Sequence, residues 1–426
     1  MENSIATASV DVVRIKRRQY MHLLFRGLRK FAPGGDGENV DSLLLYPPFE
    51  SATALGDVCN RLGWYFPIDD EETCRIHLAL GDGLELDDRT VPDAQATFPV
   101  DGLPITTHDA DAVGEVVPAV DRILVRDAFR RFDRRLLPVL GNVELVDPEY
   151  YSEVEPNTWP HVSDRVLPDG RGQSERNYRR LERRVADADR AFVFATGPSL
   201  DRAMEFDFPD DAVSVVCNSI VRNDDILSTV QPDVLVFADP VFHFGPSRYA
   251  DEFRQDVAKT VRGYDCTVAI PRSNYGLLVN HYPEFRDAVV GIRVTGSEEP
   301  IYPTADRLEV MATDNIMTLY MLPIASALAD EVYIVGADGR EEDESYFWEH
   351  SETAQYDDEL MRMAVDTHPS FFRDRVYEDY YQQHLETLEE MLMYGEQRGV
   401  SYYSVTDSYI PCLDERKIDA AAAGLA

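Results

Sequence analysis

The chain has 426 residues, an apolar share of 44 % and a formal charge of −37, from 78 acidic and 41 basic side chains. These values exclude a disordered acidic tail and indicate two or three globular domains. They also exclude a general nucleic-acid binder, because no basic stripe is available to neutralise phosphates. Only four of the bases are lysine. A carboxylate surface nearly free of lysine suits a cytoplasm of molar salt, so we predict a halophilic archaeal source.

The five cysteines are scattered without a C-x-x-C spacing. This pattern favours reduced thiols inside a cell over a secreted disulfide framework, and it indicates no structural zinc site. The sequence contains no run of about 18 apolar residues and no signal-peptide pattern. We therefore expect a cytoplasmic protein.

Residues 1–35 depart from the acidic composition. Between Val10 and Phe31, seven basic residues stand against the single acid Asp11, and apolar residues are interleaved with them. As a helix, residues 10–31 would be basic and amphipathic, as are helices that lie on a membrane surface. Two interpretations stay open: the apolar side covers a domain core, or the segment makes peripheral contact with the inner face of the cell membrane.

Residues 36–155 alternate between strand and helix patterns and predict a small α/β domain. The predicted strands are Ser42–Tyr46, Arg75–Leu80, Arg122–Arg126 and Val143–Val146, and the predicted helices are Ser51–Leu62 and Arg130–Leu140. No dense polar cluster follows these strands. The sequence therefore indicates no role for this domain.

Residues 156–190 are predicted to join the two halves. Pro156–Gly172 has the composition of a connector, and Ser174–Arg190 has that of a charged helix. Residues 191–410 predict a Rossmann-like domain with a mostly parallel sheet, followed by a C-terminal tail at 411–426. The expected fold class is thus α/β, with the smaller α/β domain first.

The predicted strand Phe192–Ala195 runs into a turn that opens a helix. Thr196 and Gly197 begin the turn, and Gly197 lets a ligand approach the backbone because it has no Cβ. Pro198 suits a first helical position, and Ser199 brings a hydroxyl close to the free amides. A strand, turn and helix N-terminus in this order can bind phosphate, although a purely structural turn stays an alternative.

Four further predicted strands also end in polar residues. They are followed by Cys217-Asn218-Ser219, Asp239-Pro240, Pro271-Arg272-Ser273-Asn274 and Gly336-Ala337-Asp338-Gly339-Arg340. Open parallel sheets bind ligands at the carboxyl ends of their strands, so these residues predict one shared crevice. Asn315 stands ahead of the predicted helix Ile316–Leu328, where it can cap the helix or contact the ligand.

The order Thr196-Gly197-Pro198-Ser199-Leu200, Cys217-Asn218, Asp239-Pro240 and Gly336-Ala337-Asp338 resembles the bacterial sialyltransferases of glycosyltransferase family 42. It is also similar to a wider superfamily that includes archaeal 6-hydroxymethyl-7,8-dihydropterin pyrophosphokinases. The resemblance covers about residues 190–410. It implies that Thr196, Gly197, Ser199 and Asn218 hold the CMP part of a CMP-sugar. Asp239-Pro240 stands where that family has Asn-Pro.

The same resemblance implies the catalytic residues. Two tyrosines hold the leaving phosphate in the family; Tyr346 matches the second, and Arg340 stands where the first would fall. An arginine can hold phosphate through charge-assisted hydrogen bonds. The general base is a histidine ahead of a late helix that we expect to start near Asp374, and His368 is our choice, with His350 and His384 as competitors.

We therefore predict a nucleotide-sugar-dependent glycosyltransferase in cell-surface glycan assembly, with CMP as the expected nucleotide and a glycan or lipid-linked acceptor. It should need neither a metal nor another cofactor. One alternative is a pterin pyrophosphokinase-like enzyme, in which Asp239 and Asp338 would hold Mg²⁺ on ATP. Another is a nucleotide-binding scaffold without catalysis.

Overall fold

The computed structural model describes residues 40–67, 74–126, 134–146, 154–340, 355–356, 358–369 and 377–425. The predicted membrane-binding segment 10–31, Tyr346 and His350 lie outside these residues. None of the helices in the described ranges is both long enough and apolar enough to cross a membrane.

The described residues form two compact units. The first unit holds the residues up to Pro168, together with Gly245–Arg248 and the described part of Arg362–Arg375. The second unit holds Asp169–Phe244 and the described residues from Tyr249 to Met361 and from Val376 onward. It thus begins inside the segment that we predicted as a connector.

A five-stranded sheet forms the centre of the first unit. Its strand order is β3-β2-β1-β4-β5, and every neighbouring pair is parallel. The strands are β1 Ser42–Phe49, β2 Arg75–Leu80, β3 Ile105–Asp109, β4 Arg122–Val125 and β5 Val143–Leu145. The helices are α1 Ala52–Tyr65, α2 Val113–Val116 and α3 Val154–Asp164, with a 3₁₀ helix at Arg134–Asn142. Ser51 caps α1, because its Oγ accepts the Ala54 amide at 3.2 Å.

The connector prediction for Pro156–Gly172 is wrong over its first half, where α3 forms instead. Trp159 is fully buried in this helix, and its ring stacks on Tyr65 of α1 with the ring centres 5.3 Å apart. Burial of an aromatic side chain outweighs the poor helix propensity of Pro160, which is a tertiary effect that local composition does not report.

An eight-stranded sheet forms the centre of the second unit. Its order is β11-β10-β9-β8-β7-β6-β12-β13, and again every neighbouring pair is parallel. The strands are β6 Arg190–Phe194, β7 Val213–Cys217, β8 Val234–Val236, β9 Thr267–Pro271, β10 Val289–Thr295, β11 Glu309–Met311, β12 Glu331–Val335 and β13 Ser401–Ser404. Two parallel sheets in two units confirm the predicted α/β fold class with a Rossmann-like second half.

Most of the helices after α3 belong to the second unit. The helices after α3 are α4 Arg171–Arg184, α5 Asp224–Val230, α6 Arg248–Gly263, α7 Tyr275–His281, α8 Leu322–Leu328, α9 Asp358–Thr367, α10 Tyr377–Glu396 and α11 Pro411–Asp414. Helix α9 runs from the second unit into residues of the first. A π-helical stretch at Met317–Met321 leads into α8. Residues of the predicted tail also pack into the second unit, where Ala423 and Leu425 are buried.

Candidate functional site at the strand ends

The strand order of the second sheet reverses between β6 and β12. The strands from β6 to β11 follow one another toward one edge, whereas β12 and β13 lie on the other side of β6. In open parallel sheets a ligand crevice forms at the carboxyl ends of the two strands that flank such a reversal. Thr196–Ser199 follow β6 and Gly336–Asp338 follow β12, so the two predicted motifs meet at this point.

Asp338 joins the two motifs by hydrogen bonds. Its carboxylate accepts the Ser199 amide at 3.1 Å and the Ser199 hydroxyl at 2.9 Å. Burial raises the pKa of Asp338, and the two Ser199 donors offset part of that rise. The amide and hydroxyl that we predicted for a phosphate thus already hold a carboxylate. Ligand contacts by Ser199 and Asp338 stay a prediction, and the observed contact gives both residues a structural role.

Two glycines make this junction possible. A Cβ on Gly197 would lie 2.2 Å from Asp338 Oδ2 and 2.6 Å from the Gly336 carbonyl oxygen. Gly336 has a φ of +76°, and a Cβ there would lie 2.6 Å from the Ala195 carbonyl oxygen. Pro198 follows as the first residue of a 3₁₀ helix, Pro198–Glu205, rather than the predicted α-helix.

Asn218 follows β7 in the left-handed backbone region, with a φ of 48°. Asparagine is among the few residues other than glycine that adopt this conformation readily. Its Oδ1 atom is buried and accepts no hydrogen bond within the described chain. An unpaired buried acceptor costs about 1–3 kcal/mol, and a donor on a bound ligand would remove this cost.

Asp239 follows β8, the strand next to β7, and holds a tight turn. Its Oδ1 accepts the amides of Val241 and Phe242, each at 2.8 Å. Its own amide donates to Nδ1 of the buried His243 at 2.9 Å. Asp239 is therefore fixed in place at the strand end and half-buried, and its contact with a nucleotide or Mg²⁺ stays a prediction.

Asn274 lies three residues after β9, the next strand along; the sequence placed it in a polar strand ending but gave it no ligand-binding role of its own. Its side chain is 4 % exposed, and its Nδ2 donates to no described atom. Its Oδ1 accepts from the Ser273 hydroxyl at 3.2 Å. The only signal in the sequence was its position in a polar strand ending. The unpaired donor becomes visible only when the surrounding packing is known.

Asn315 caps the helical segment that follows it. Its Oδ1 accepts the Met317 amide at 2.8 Å, and its carbonyl oxygen accepts the Leu319 amide at 2.8 Å. Capping was one of the two roles that we considered for Asn315. The π-helical start of this segment departs from the regular α-helix that the apolar pattern predicted.

The predicted phosphate-binding arginine lies two residues after Asp338. The Arg340 amide donates to the Tyr381 hydroxyl at 3.1 Å, and the guanidinium carbon lies 4.5 Å from the centre of the Tyr381 ring. Tyr381 belongs to α10, so this contact joins the loop after β12 to that helix.

The candidate bases lie in different parts of the fold. His368 follows α9 in the first unit and is 1 % exposed. The neighbouring Thr367 carbonyl oxygen accepts a hydrogen bond from Arg61 at 3.0 Å. His384 lies on α10 in the second unit, and burial lowers its pKa to about 4. The role of His368 as general base stays a prediction.

Among the residues that the structure describes, no three histidine, cysteine, aspartate or glutamate side chains form a group able to hold a metal ion. The strand-end site is therefore built from amides, hydroxyls and the Asp239 and Asp338 carboxylates. Thr196, Gly197, Ser199, Asn218, Asp239 and Asp338 all follow strands β6, β7, β8 or β12, so the fold brings them to one edge of one sheet.

No family model matches the chain, and no curated protein matches it. Among solved structures, the chain is similar to the monofunctional α-2,3-sialyltransferase Cst-I from Campylobacter jejuni, with 15 % identity, a TM-score of 0.32, and coverage of 55 % of this chain and 80 % of that one. It is also similar to the sialyltransferase CstII from Campylobacter jejuni in complex with CMP-3FNeuAc, with 13 % identity, a TM-score of 0.28, and coverage of 53 % and 88 %.

Proposed function

We propose that the protein is a nucleotide-sugar-dependent glycosyltransferase and that the donor binds along the ends of β6, β7, β8 and β9. Two side-chain atoms carry the proposal: the unpaired Oδ1 of Asn218 and the unpaired Nδ2 of Asn274. Native proteins pair nearly all of their buried polar atoms, so unpaired atoms at the ends of β7 and β9, the strands on either side of β8, favour a bound ligand as their partner.

The chemistry of these two atoms supports a nucleoside or sugar. Asn218 Oδ1 needs a donor, and Asn274 Nδ2 needs an acceptor. A bare phosphate offers acceptors only, whereas a sugar hydroxyl or a nucleobase edge offers both. The sequence resemblance described above adds CMP as the proposed nucleotide, and it adds a glycan or lipid-linked acceptor in cell-surface glycan assembly.

The proposed reaction is a direct glycosyl transfer. An acceptor hydroxyl oxygen forms a bond with the anomeric carbon, and the bond from that carbon to the donor phosphate oxygen breaks. The sequence resemblance proposes His368 as the general base that takes the proton of the acceptor hydroxyl, and it proposes Arg340 and Tyr346 as hydrogen-bond donors to the departing phosphate. This route needs no metal ion, so turnover should continue with EDTA present.

The test compares two buried asparagines. Asn274 has an unpaired Nδ2, whereas Asn177 on α4 is 2 % exposed and its Nδ2 donates to the Arg286 and Val289 carbonyl oxygens at 2.9 and 2.7 Å. In Asn274→Leu, nucleotide affinity should fall by at least about tenfold while stability changes by less than about 1 kcal/mol. In Asn177→Leu, stability should fall by about 2 kcal/mol or more while nucleotide affinity is kept.

Calorimetric titration with CMP, UDP, GDP and ATP measures the affinity, and urea unfolding measures the stability. CMP should bind most tightly. The proposal is wrong if no nucleotide binds, or if Asn274→Leu binds the nucleotide as well as the unchanged protein does. Tightest binding of ATP would favour the pyrophosphokinase alternative.

A further inference from the structure

A cavity of about 270 Å³ in the second unit is lined by four arginine side chains. Arg171 starts α4, Arg272 follows β9, Arg293 lies on β10, and Arg307 lies just ahead of β11. The same lining contains three carboxylates, so arginine is in excess here although the whole chain carries a formal charge of −37. A positive cavity in so acidic a protein would attract an anion.

The carboxylates do not neutralise all four arginines. Glu309 is shared between two of them, with Oε1 3.2 Å from Arg293 Nη1 and Oε2 3.0 Å from Arg307 Nε. Asp306 pairs at 2.6 Å with Arg179, a residue outside the lining. Two guanidinium groups thus depend on one carboxylate, and one of the three carboxylates is engaged elsewhere.

Of the four lining arginines, one forms no ion pair within the described part of the chain. Arg171 pairs with Glu175 at 3.1 Å, and Arg272, which is half-buried, forms no ion pair with any described residue. A half-buried guanidinium without a counter-charge is poorly stabilised, because its five N–H donors need acceptors. An anionic ligand would supply both the charge and the acceptors.

Gly291 on β10 lets Arg272 pack closely against the strand. A Cβ at Gly291 would lie 3.1 Å from Arg272 Cα and 3.2 Å from its Cγ. Leu308 is the one apolar side chain among the described lining residues. The volume is close to the lower end of known ligand pockets, about 300 Å³, which suits one sugar residue.

The position of the cavity relates it to the strand-end site. β9 is hydrogen-bonded to β8, so Arg272 and Asp239 follow neighbouring strands at the same sheet edge. Neighbouring strands are about 4.8 Å apart. Asn274 lies two residues beyond Arg272. A ligand in this cavity therefore borders the proposed donor site.

We propose that this cavity binds the anionic group of the acceptor, which is a sugar that bears a carboxylate or a phosphate. This assignment of the acceptor rests on the proposed glycosyltransferase function. The guanidinium forks of Arg272, Arg293 and Arg307 receive the anion through paired charge-assisted hydrogen bonds, which match both carboxylate and phosphate geometry.

Calorimetric titration of the full chain at constant ionic strength tests the proposal with glucuronate, glucose 6-phosphate and neutral glucose. One of the two anions should bind at least about tenfold more tightly than glucose, and the tighter one identifies a carboxylate or a phosphate as the group. Equal affinity for all three sugars would overturn the proposal.

Three arginine variants locate the binding. Arg272→Gln and Arg307→Gln should each weaken anion binding by at least about tenfold. The Arg307 side chain is 60 % exposed, so Arg307→Gln should fold. This variant therefore tests whether the arginines bind the anion even if Arg272→Gln fails to fold. Arg262→Gln is the matched control, because Arg262 is similarly exposed and pairs with Glu284 away from the cavity. Unchanged anion binding in Arg307→Gln would show that the cavity does not bind the anion.

A nucleotide separates this proposal from the previous one. With CMP at a saturating concentration, the affinity for the anion should stay within about twofold of its value without CMP. Strong competition between CMP and the anion would place the anion in the nucleotide site and overturn the cavity assignment. Anion binding at the arginines without any nucleotide binding would refute the glycosyltransferase function while the anion site stands. Nucleotide binding without anion binding would refute the cavity alone.

Discussion

Gly197 and Asp338 approach each other so closely that no side chain fits between them. The Asp338 carboxylate holds the amide and hydroxyl of Ser199, and Gly197 lies against it where β6 ends. The motif that resembles a phosphate-binding turn is thus closed by the chain's own carboxylate. This closure ties the end of β12 to the end of β6.

Gly197→Ala should destabilise the protein by about 1–3 kcal/mol, because the new methyl group would force Asp338 away from Ser199. Gly263→Ala is the control, since a Cβ at that last residue of α6 meets no atom within 4 Å. Its stability should equal or exceed that of the unchanged protein. Urea unfolding measures both, and equal stability of the two variants would contradict the closed turn.

His243 makes stability depend on pH. Its pKa is lowered to about 3, first by burial and then by the charge of Arg254. In the unfolded chain its pKa is near 6.5. Between about pH 6.5 and pH 3 the unfolded state therefore binds a proton at this histidine, whereas the folded state does not. The stability from this histidine is complete above pH 6.5 and is lost progressively as the pH falls toward 3.

His243→Asn removes this titration, and the asparagine Oδ1 can still accept the Asp239 amide. The variant should be less stable than the unchanged protein at pH 7, because the stacking of His243 on Phe253 is lost. That difference should shrink by about 2 kcal/mol at pH 5. Urea unfolding at pH 7 and at pH 5 measures this difference. A constant difference in His243→Asn would refute the linkage.

Helix α1 is tied to the end of β4 by a buried ion cluster. Asp57 Oδ1 lies 3.0 Å from Arg61 Nε, and Asp57 Oδ2 lies 3.2 Å from Arg126 Nη2. Burial alone would raise the pKa of Asp57, but the charges of the two arginines outweigh it and lower the pKa. The sheet of the first unit reverses its strand order between β1 and β4, and Arg126 follows β4 at that point.

Asp57→Ala should therefore reduce the free energy of unfolding by about 3–5 kcal/mol, because it removes a buried carboxylate that pairs with both Arg61 and Arg126. Glu284→Ala provides the comparison, since it breaks the exposed pair with Arg262 and should cost less than about 1 kcal/mol. Both values come from urea unfolding at pH 7. Similar losses in the two variants would show that the cluster on α1 is no more important than a surface pair.

Element boundaries show which local signals were sufficient. Arg75–Leu80 was predicted as β2 at both ends, and α1 begins one residue after its predicted start because Ser51 is its cap. Strand β10, which has seven residues and lies inside its sheet, was not predicted. Strands β3, β11 and β13 were not predicted either; they have three to five residues and lie at sheet edges. Such strands are stabilised by the neighbour that they pair with, which a sequence pattern does not contain.

The charge of the entire chain predicts a response to salt. With a formal charge of −37, the folded surface repels itself in dilute buffer, and this repulsion weakens as the Debye length falls from about 10 Å at 0.1 M to about 3 Å at 1 M. Folding confines the charge to a smaller volume than the unfolded chain does. Added salt should therefore stabilise the folded state.

The melting temperature should rise by about 5 °C or more between 0.1 and 2 M KCl at pH 7.5. The effect should shrink as the pH falls toward the sequence pI of about 4.5, where the net charge vanishes. Calorimetric scans over this grid measure both dependences. A melting temperature that does not change with KCl concentration would contradict the role of self-repulsion and the predicted halophilic source.

Local pattern was enough for the α/β class, the parallel sheet of the second unit and the polar residues at five of its strand ends. Apolar runs and the residues that terminate them are short-range features, so they can be recognised from neighbouring positions alone. Tertiary structure alone decided that Asp338 closes on Ser199, that Asn274 keeps an unpaired donor, and that Arg171, Arg272, Arg293 and Arg307 line one cavity. Each of these depends on which distant segments are packed together, and that is determined by the balance of burial and pairing over the entire unit.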